Sequence, residues 1–147
     1  MQKYQSFLFD SYSLRKLAAA SPERAAGGTP GNAVRGLSGP TGVGCSNLFV
    51  EAGKRTPEEV LGAVADGFYV TETMGFGVNT VTGDYSKGAA GLWIKGGRLD
   101  HAVQEVTIAA PLGEMLKGVE EAGNDLVFRG EVAAPTLRIA RMTVSGA

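Results

Sequence analysis

The chain has 147 residues, a formal net charge of −1, 44% apolar and 20% charged residues. That composition suits one globular domain with a sizeable core and argues against wholesale disorder. Lys and Arg are scattered with no basic run, which argues against a nucleic-acid surface.

Phe7-Leu8-Phe9 reads as a short buried strand that ends at Asp10-Ser11. Leu14, Leu17 and Ala18 follow at helical spacing, with Asp10, Ser11 or Ser13 as the cap, and the helix stops before Ser21-Pro22. Glycine is the compositional outlier at 22 residues, about twice its usual ~7% share. Many of these glycines fall in the stretch 27–44, either a flexible linker or an ordered functional loop.

Asn47-Leu48-Phe49-Val50 reads as a strand. Thr56-Pro57-Glu58-Glu59 is a capping box with proline at the first helical position. Val60, Leu61 and Val64 would line one face of that helix, and Gly67 would close it. Phe68 to Thr71 is β-prone, and Met74 to Val78 suggests a strand with a bend or a close backbone approach. Ala89 to Lys95 and Arg98 to Ala109 read as a hairpin about Gly96-Gly97, with Ala102, Val106 and Ile108 sharing a parity.

Pro111 opens a last helix, with Leu112, Met115, Leu116 and Val119 on one face and Gly123 as its stop. Asp125 to Phe128 and Leu137 to Val144 are expected strands. The sum is an α+β fold: an antiparallel-leaning sheet or partial barrel with about three helices packed on it, in a single domain over 1–147.

One cysteine, Cys45, excludes an internal disulfide and fits a reducing compartment, and no stretch is apolar enough to span a membrane. Met1 to Gln5 lacks a signal-peptide apolar region, so the expected location is cytoplasmic. Catalytic zinc needs about three protein ligands and an open position, and one histidine with one cysteine far apart supply no such set. His101 with Asp84 and Ser86 has the residue types of a hydrolase triad without its nucleophile elbow. Gly53-Lys54 and Gly42-Val43-Gly44 fail the spacing of phosphate loops. No catalytic or metal residue is assigned.

The polar segment Asn79-Thr80-Val81-Thr82-Gly83-Asp84-Tyr85-Ser86 stands between two apolar runs. Its side chains either hold a Gly-rich turn or line a contact for a peptide or partner; the two are compatible. Asn79, Thr82, Gly83, Asp84 and Ser86 are therefore the candidate site residues.

The order N-x-x-T-G-D-[FY]-S in this segment resembles the C-terminal part of the TldD/PmbA family, also called modulators of DNA gyrase. Asp66-Gly67-Phe68-Tyr69-Val70, Gly123-Asn124-Asp125 and Pro135-Thr136-Leu137-Arg138-Ile139 carry the same resemblance, and Thr82 to Ser86 is similar to the PmbA branch, also called TldE. The resemblance implies a C-terminal domain of a larger architecture, since members are several times longer. It implies a two-subunit cytoplasmic peptidase in which a TldD-type partner supplies zinc on an HExxxH motif that this chain lacks. The chain would then be non-catalytic, hold no cofactor, and help shape the chamber for a peptide substrate. The rival expectation is a stand-alone interaction module; a domain cut from a larger sheet should self-associate through unpaired edges, whereas a free-standing module should be monomeric and melt cooperatively.

Overall fold

The computed structural model describes residues 7–29 and 31–146. The reading over Met1 to Gln5, and Pro30 within the Gly-rich stretch, lie outside these residues. Two compact units are present: one holds the chain up to Leu48 with Arg129–Val132, the other holds Phe49–Phe128 and the chain from Ala133 onward.

In the first unit, α1 (Ser11–Ala20) begins at Asp10. The Asp10 carboxylate accepts the Ser13 N–H at 2.7 Å, and the Ser13 hydroxyl oxygen accepts the Asp10 N–H at 3.0 Å. This reciprocal pair satisfies two donors that the first turn leaves open. Ser21 donates its N–H to Leu17 at 2.7 Å, and Pro22 starts the short α2 (Pro22–Ala25). Phe7, Leu8 and Phe9 form no strand, and Phe7 and Leu8 are exposed, which corrects the buried strand expected there. The Phe9 carbonyl instead accepts the Thr29 hydroxyl at 2.9 Å. The Gly-rich stretch contains an antiparallel ribbon of β1 (Ala33–Val34) and β2 (Gly42–Val43), closed by the Gly44 N–H to the Asn32 carbonyl at 3.0 Å.

The short β3 (Leu48–Phe49) lies at the division between the units. In the second unit, α3 (Pro57–Gly62) starts on the expected capping box: Thr56 Oγ1 accepts the Glu59 N–H, and the Glu59 carboxylate accepts the Thr56 N–H. It ends at Ala63, four residues before the expected Gly67 stop. Gly67 instead lies inside β4 (Asp66–Met74), opposite Ile94. What it provides there is space, since a Cβ would sit 2.8 Å from a Val64 methyl.

The main sheet is antiparallel. It contains β4, β5 (Val78–Asn79), β6 (Asp84–Lys95), β7 (Arg98–Pro111) and β11 (Thr143–Ser145), in the order β11–β7–β6–β4 with β5 also on β6. Among the described residues the sheet closes into no barrel. The β6–β7 hairpin turns at Gly96 and Gly97, both at positive φ (56° and 75°), as a two-residue primed turn requires. Both turn amides donate to the segment that follows α3, Gly96 to Ala65 and Gly97 to Val64.

The register of this sheet shifts between Leu92 and Ile94 and, on both sides, at Ala90. Thr71 on β4 is an extra residue on one side of it, and Gln104–Glu105 on β7 hold the extra residue on the other. Glu105 has φ +56°, the one non-glycine positive φ among the described residues. The bulge also corrects the expected parity of β7: Val106 and Ile108 are buried, but Val103 rather than Ala102 packs with them. An added residue shifts the strand's period of two by one. The core gathers Ala89, Val106 and Ile108, with Phe68, Tyr85, Met142 and Val144 against them.

α4 (Leu112–Lys117) ends at Gly118, so Val119 and the expected stop Gly123 lie beyond it. Val119 opens β8 (Val119–Ala122), which pairs antiparallel with β10 (Leu137–Ile139). The pairing takes residues that helical spacing had claimed. Between these two strands, the short β9 (Val132–Ala133) crosses the division of the units. Asp125 to Phe128 form no strand. Asp125 spends its carboxylate on Thr136, accepting the backbone N–H at 2.9 Å and the hydroxyl at 2.8 Å. The expected run Leu137 to Val144 is split into β10 and β11, which belong to different sheets. Among the described residues there are four helices, two of them in the second unit.

Candidate functional site

The Asn79–Ser86 segment is not one loop, as the sequence suggested, but a hairpin end. Asn79 closes β5, residues 80–83 turn, and Asp84 and Ser86 already belong to β6. The register is Val78 opposite Tyr85 and Asn79 opposite Asp84. All five candidate residues are thus brought together within one supersecondary unit.

Each has an identifiable place. Asn79 Oδ1 accepts the N–H groups of Val81 (3.0 Å) and Thr82 (3.2 Å), which folds the turn back on its own start. The Asn79 carbonyl accepts the Gly83 N–H at 2.8 Å. Gly83 sits at φ +80°, a conformation that L side chains adopt only at a cost. The Thr82 hydroxyl donates to Asp84 Oδ2 at 2.6 Å. From outside the turn, the Leu112 N–H at the start of α4 donates to the Gly83 carbonyl at 2.7 Å.

Three residues of this site escape sequence reasoning. Phe76, Gly77 and Val78 line an open depression of about 310 Å³ together with Asn79, Asp84 and Ser86. Gly77 permits it: the Ser86 N–H donates to the Gly77 carbonyl at 2.7 Å, and a Cβ on Gly77 would fall 1.9 Å from the Ser86 carbonyl oxygen. Gly75, at φ +79°, turns the chain just before. Phe76 therefore stands fully exposed between two glycines that the backbone path requires. The Gly-Phe-Gly pattern was the available signal: it reads in sequence as a bend or a close backbone approach, and Gly77 makes the close approach, to Ser86.

His101 lies elsewhere. Its Nδ1 is 2.9 Å from Asp100 Oδ2 near the β6–β7 turn, whereas Ser86 pairs with Ala109 at the far end of β6. At ~3.3 Å per residue, that places His101 roughly 25 Å from Ser86 along the strand, so no triad with Asp84 forms. Hydrogen bonding to His101, aided by Lys95, holds the Asp100 carboxyl below its ordinary value.

The donor set does not fit a metal. No group of three or more His, Cys, Asp or Glu placed to hold an ion occurs among the described residues. Among them, no helix is long and apolar enough to cross a membrane.

Residues 3–146 match the family model of the PmbA/TldA metallopeptidase C-terminal domain. The chain is 32% identical over 140 residues to the "Metalloprotease PmbA" of Escherichia coli O157:H7, covering 95% of this chain and 27% of that protein. It is 34% identical over 142 residues to a "Metalloprotease PmbA homolog" of Haemophilus influenzae, covering 97% and 28%. The chain thus spans little more than a quarter of the curated relatives it matches. Among solved structures, TldE from Thermococcus kodakarensis superposes with a TM-score of 0.77 at 22% identity, over 97% of this chain and 32% of that one, which bears on fold alone. A protein of Thermotoga maritima described as a modulator of a DNA gyrase superposes with a TM-score of 0.73 at 26% identity, over 95% and 30%.

Proposed function

Given that this chain belongs to the PmbA/TldD family, as its metallopeptidase-related C-terminal domain, we propose that it is the non-catalytic part of a TldE/PmbA-type subunit in a two-subunit zinc peptidase. In this reading a TldD-type subunit supplies the zinc, and the Asn79–Ser86 hairpin end offers a firm rim to an extended peptide and to that partner. The cytoplasm is the compartment of the assembly, a reading supported by a single cysteine in 147 residues.

One observation carries the proposal. The turn is fixed from within by Asn79 and Thr82 and from outside by Leu112, yet it leaves Phe76 and Val81 almost wholly exposed. A rigid turn that displays apolar side chains suits contact with another chain. The absence of a zinc-ligand set from the sequence supports a supporting rather than a catalytic part.

The test is a reconstituted pair with a zinc-bearing TldD-type subunit. Asp84→Ala is expected to lower peptide hydrolysis while the zinc content of the pair stays constant. Unchanged hydrolysis would remove the hairpin end from the chamber.

A further inference from the structure

The depression beside the hairpin end is lined by two chemical kinds of side chain. Phe76 and Val78 supply apolar surface, and Asp84 with Ser86 supply polar surface. Thr82 occupies only Asp84 Oδ2, and among the described residues no cation forms an ion pair with the carboxylate. The Ser86 hydroxyl likewise has no hydrogen-bond partner among them. The nearest lysine in the strand, Lys87, directs its ammonium toward Thr73 Oγ1 at 3.5 Å.

A carboxylate with a free oxygen, a free hydroxyl beside it and an exposed aromatic ring at the rim complement one kind of group. That group carries positive charge on a flat or aliphatic body. A guanidinium suits both kinds of lining: it donates to the carboxylate and stacks on the ring. A neutral apolar side chain would leave Asp84 facing it unpaired, and an acidic one would be repelled.

We propose that this depression is a subsite for a basic side chain, arginine above lysine, of the extended peptide. The inference rests on reading the rim as a peptide contact and adds the preference for charge. The site is open to solvent, so the preference is modest, about threefold to fivefold in affinity, and weakens with salt.

The test is a titration of the isotopically labelled chain followed by amide shifts. One ligand is a short capped peptide with a central arginine; the other carries citrulline, its neutral isostere. The arginine peptide is expected to bind about threefold to fivefold more tightly, with shifts centred on residues 76–86. Asp84→Asn, which can keep the Thr82 hydrogen bond, is expected to equalise the two. Phe76→Ala, at an exposed position, is expected to weaken the arginine peptide selectively. Equal binding of both peptides to the unaltered chain, with shifts still at 76–86, overturns the charge preference and leaves the peptide contact standing. Shifts elsewhere, or binding of neither peptide, overturn both.

Discussion

The Leu112 amide donates to the Gly83 carbonyl at 2.7 Å, so the turn that ends the β5–β6 hairpin is tied to the first residue of α4. This bond makes the candidate rim part of the second unit's framework. It also separates two roles for glycine there, one of backbone conformation and one of space.

Gly83→Ala tests the conformational role. Its φ is +80°, and a Cβ would meet nothing within 4 Å. The cost is left-handed strain alone, about 1–2 kcal/mol, and the urea midpoint should fall with the fold retained. Amide shifts should be confined to the turn.

Gly77→Ala tests the spatial role. A Cβ 1.9 Å from the Ser86 carbonyl oxygen forces β5 away from β6. The loss is expected to reach about 3 kcal/mol, the upper end for overpacking. Hydrogen exchange at the Ser86 amide should accelerate, and peptide contact at Phe76 should be lost with it.

Glu105→Gly should act in the opposite direction. Glu105 sits at φ +56° in the β7 bulge, where a Cβ is unfavourable by about 1–2 kcal/mol. Glycine removes that strain but adds about 0.5–1 kcal/mol of unfolded-state entropy. A net gain of about 0.5–1 kcal/mol is expected in the same urea assay. A destabilised variant would show that the Glu105 side chain supports the bulge.

Asp125 makes stability depend on pH. Its carboxyl is held below the ordinary value of 3.8, first by the Thr136 backbone N–H and then by the Thr136 hydroxyl. A depressed carboxyl contributes stability that is fully present above pH ~4, its unfolded value, and lost as pH falls through the lower folded value. Asp125→Asn should therefore melt a few degrees lower at neutral pH. The gap should narrow below pH 4, and a constant gap across that range would refute the linkage.

Local signals decided much of this protein. The capping boxes at Asp10 and Thr56 and the Gly96-Gly97 hairpin turn rest on hydrogen bonds and φ values within a few residues, so the sequence determines them. The turn through Asn79, Thr82, Gly83 and Asp84 rests on bonds between near neighbours in the same way, whereas Ser86 bonds outside it, to Gly77. What the sequence did not contain were partners distant along the chain. Val119 leaves its helical pattern because Ile139 pairs with it, and Asp125 leaves a strand because Thr136 takes its carboxylate. Ala102 yields its core place to Val103 because a bulge opposite Ala90 shifts the strand by one residue. Phe76 joined the site only when the Gly77 backbone, just ahead of β5, came against Ser86. Pairing between strands and close backbone approach are properties of the assembled sheet, and no local periodicity encodes them.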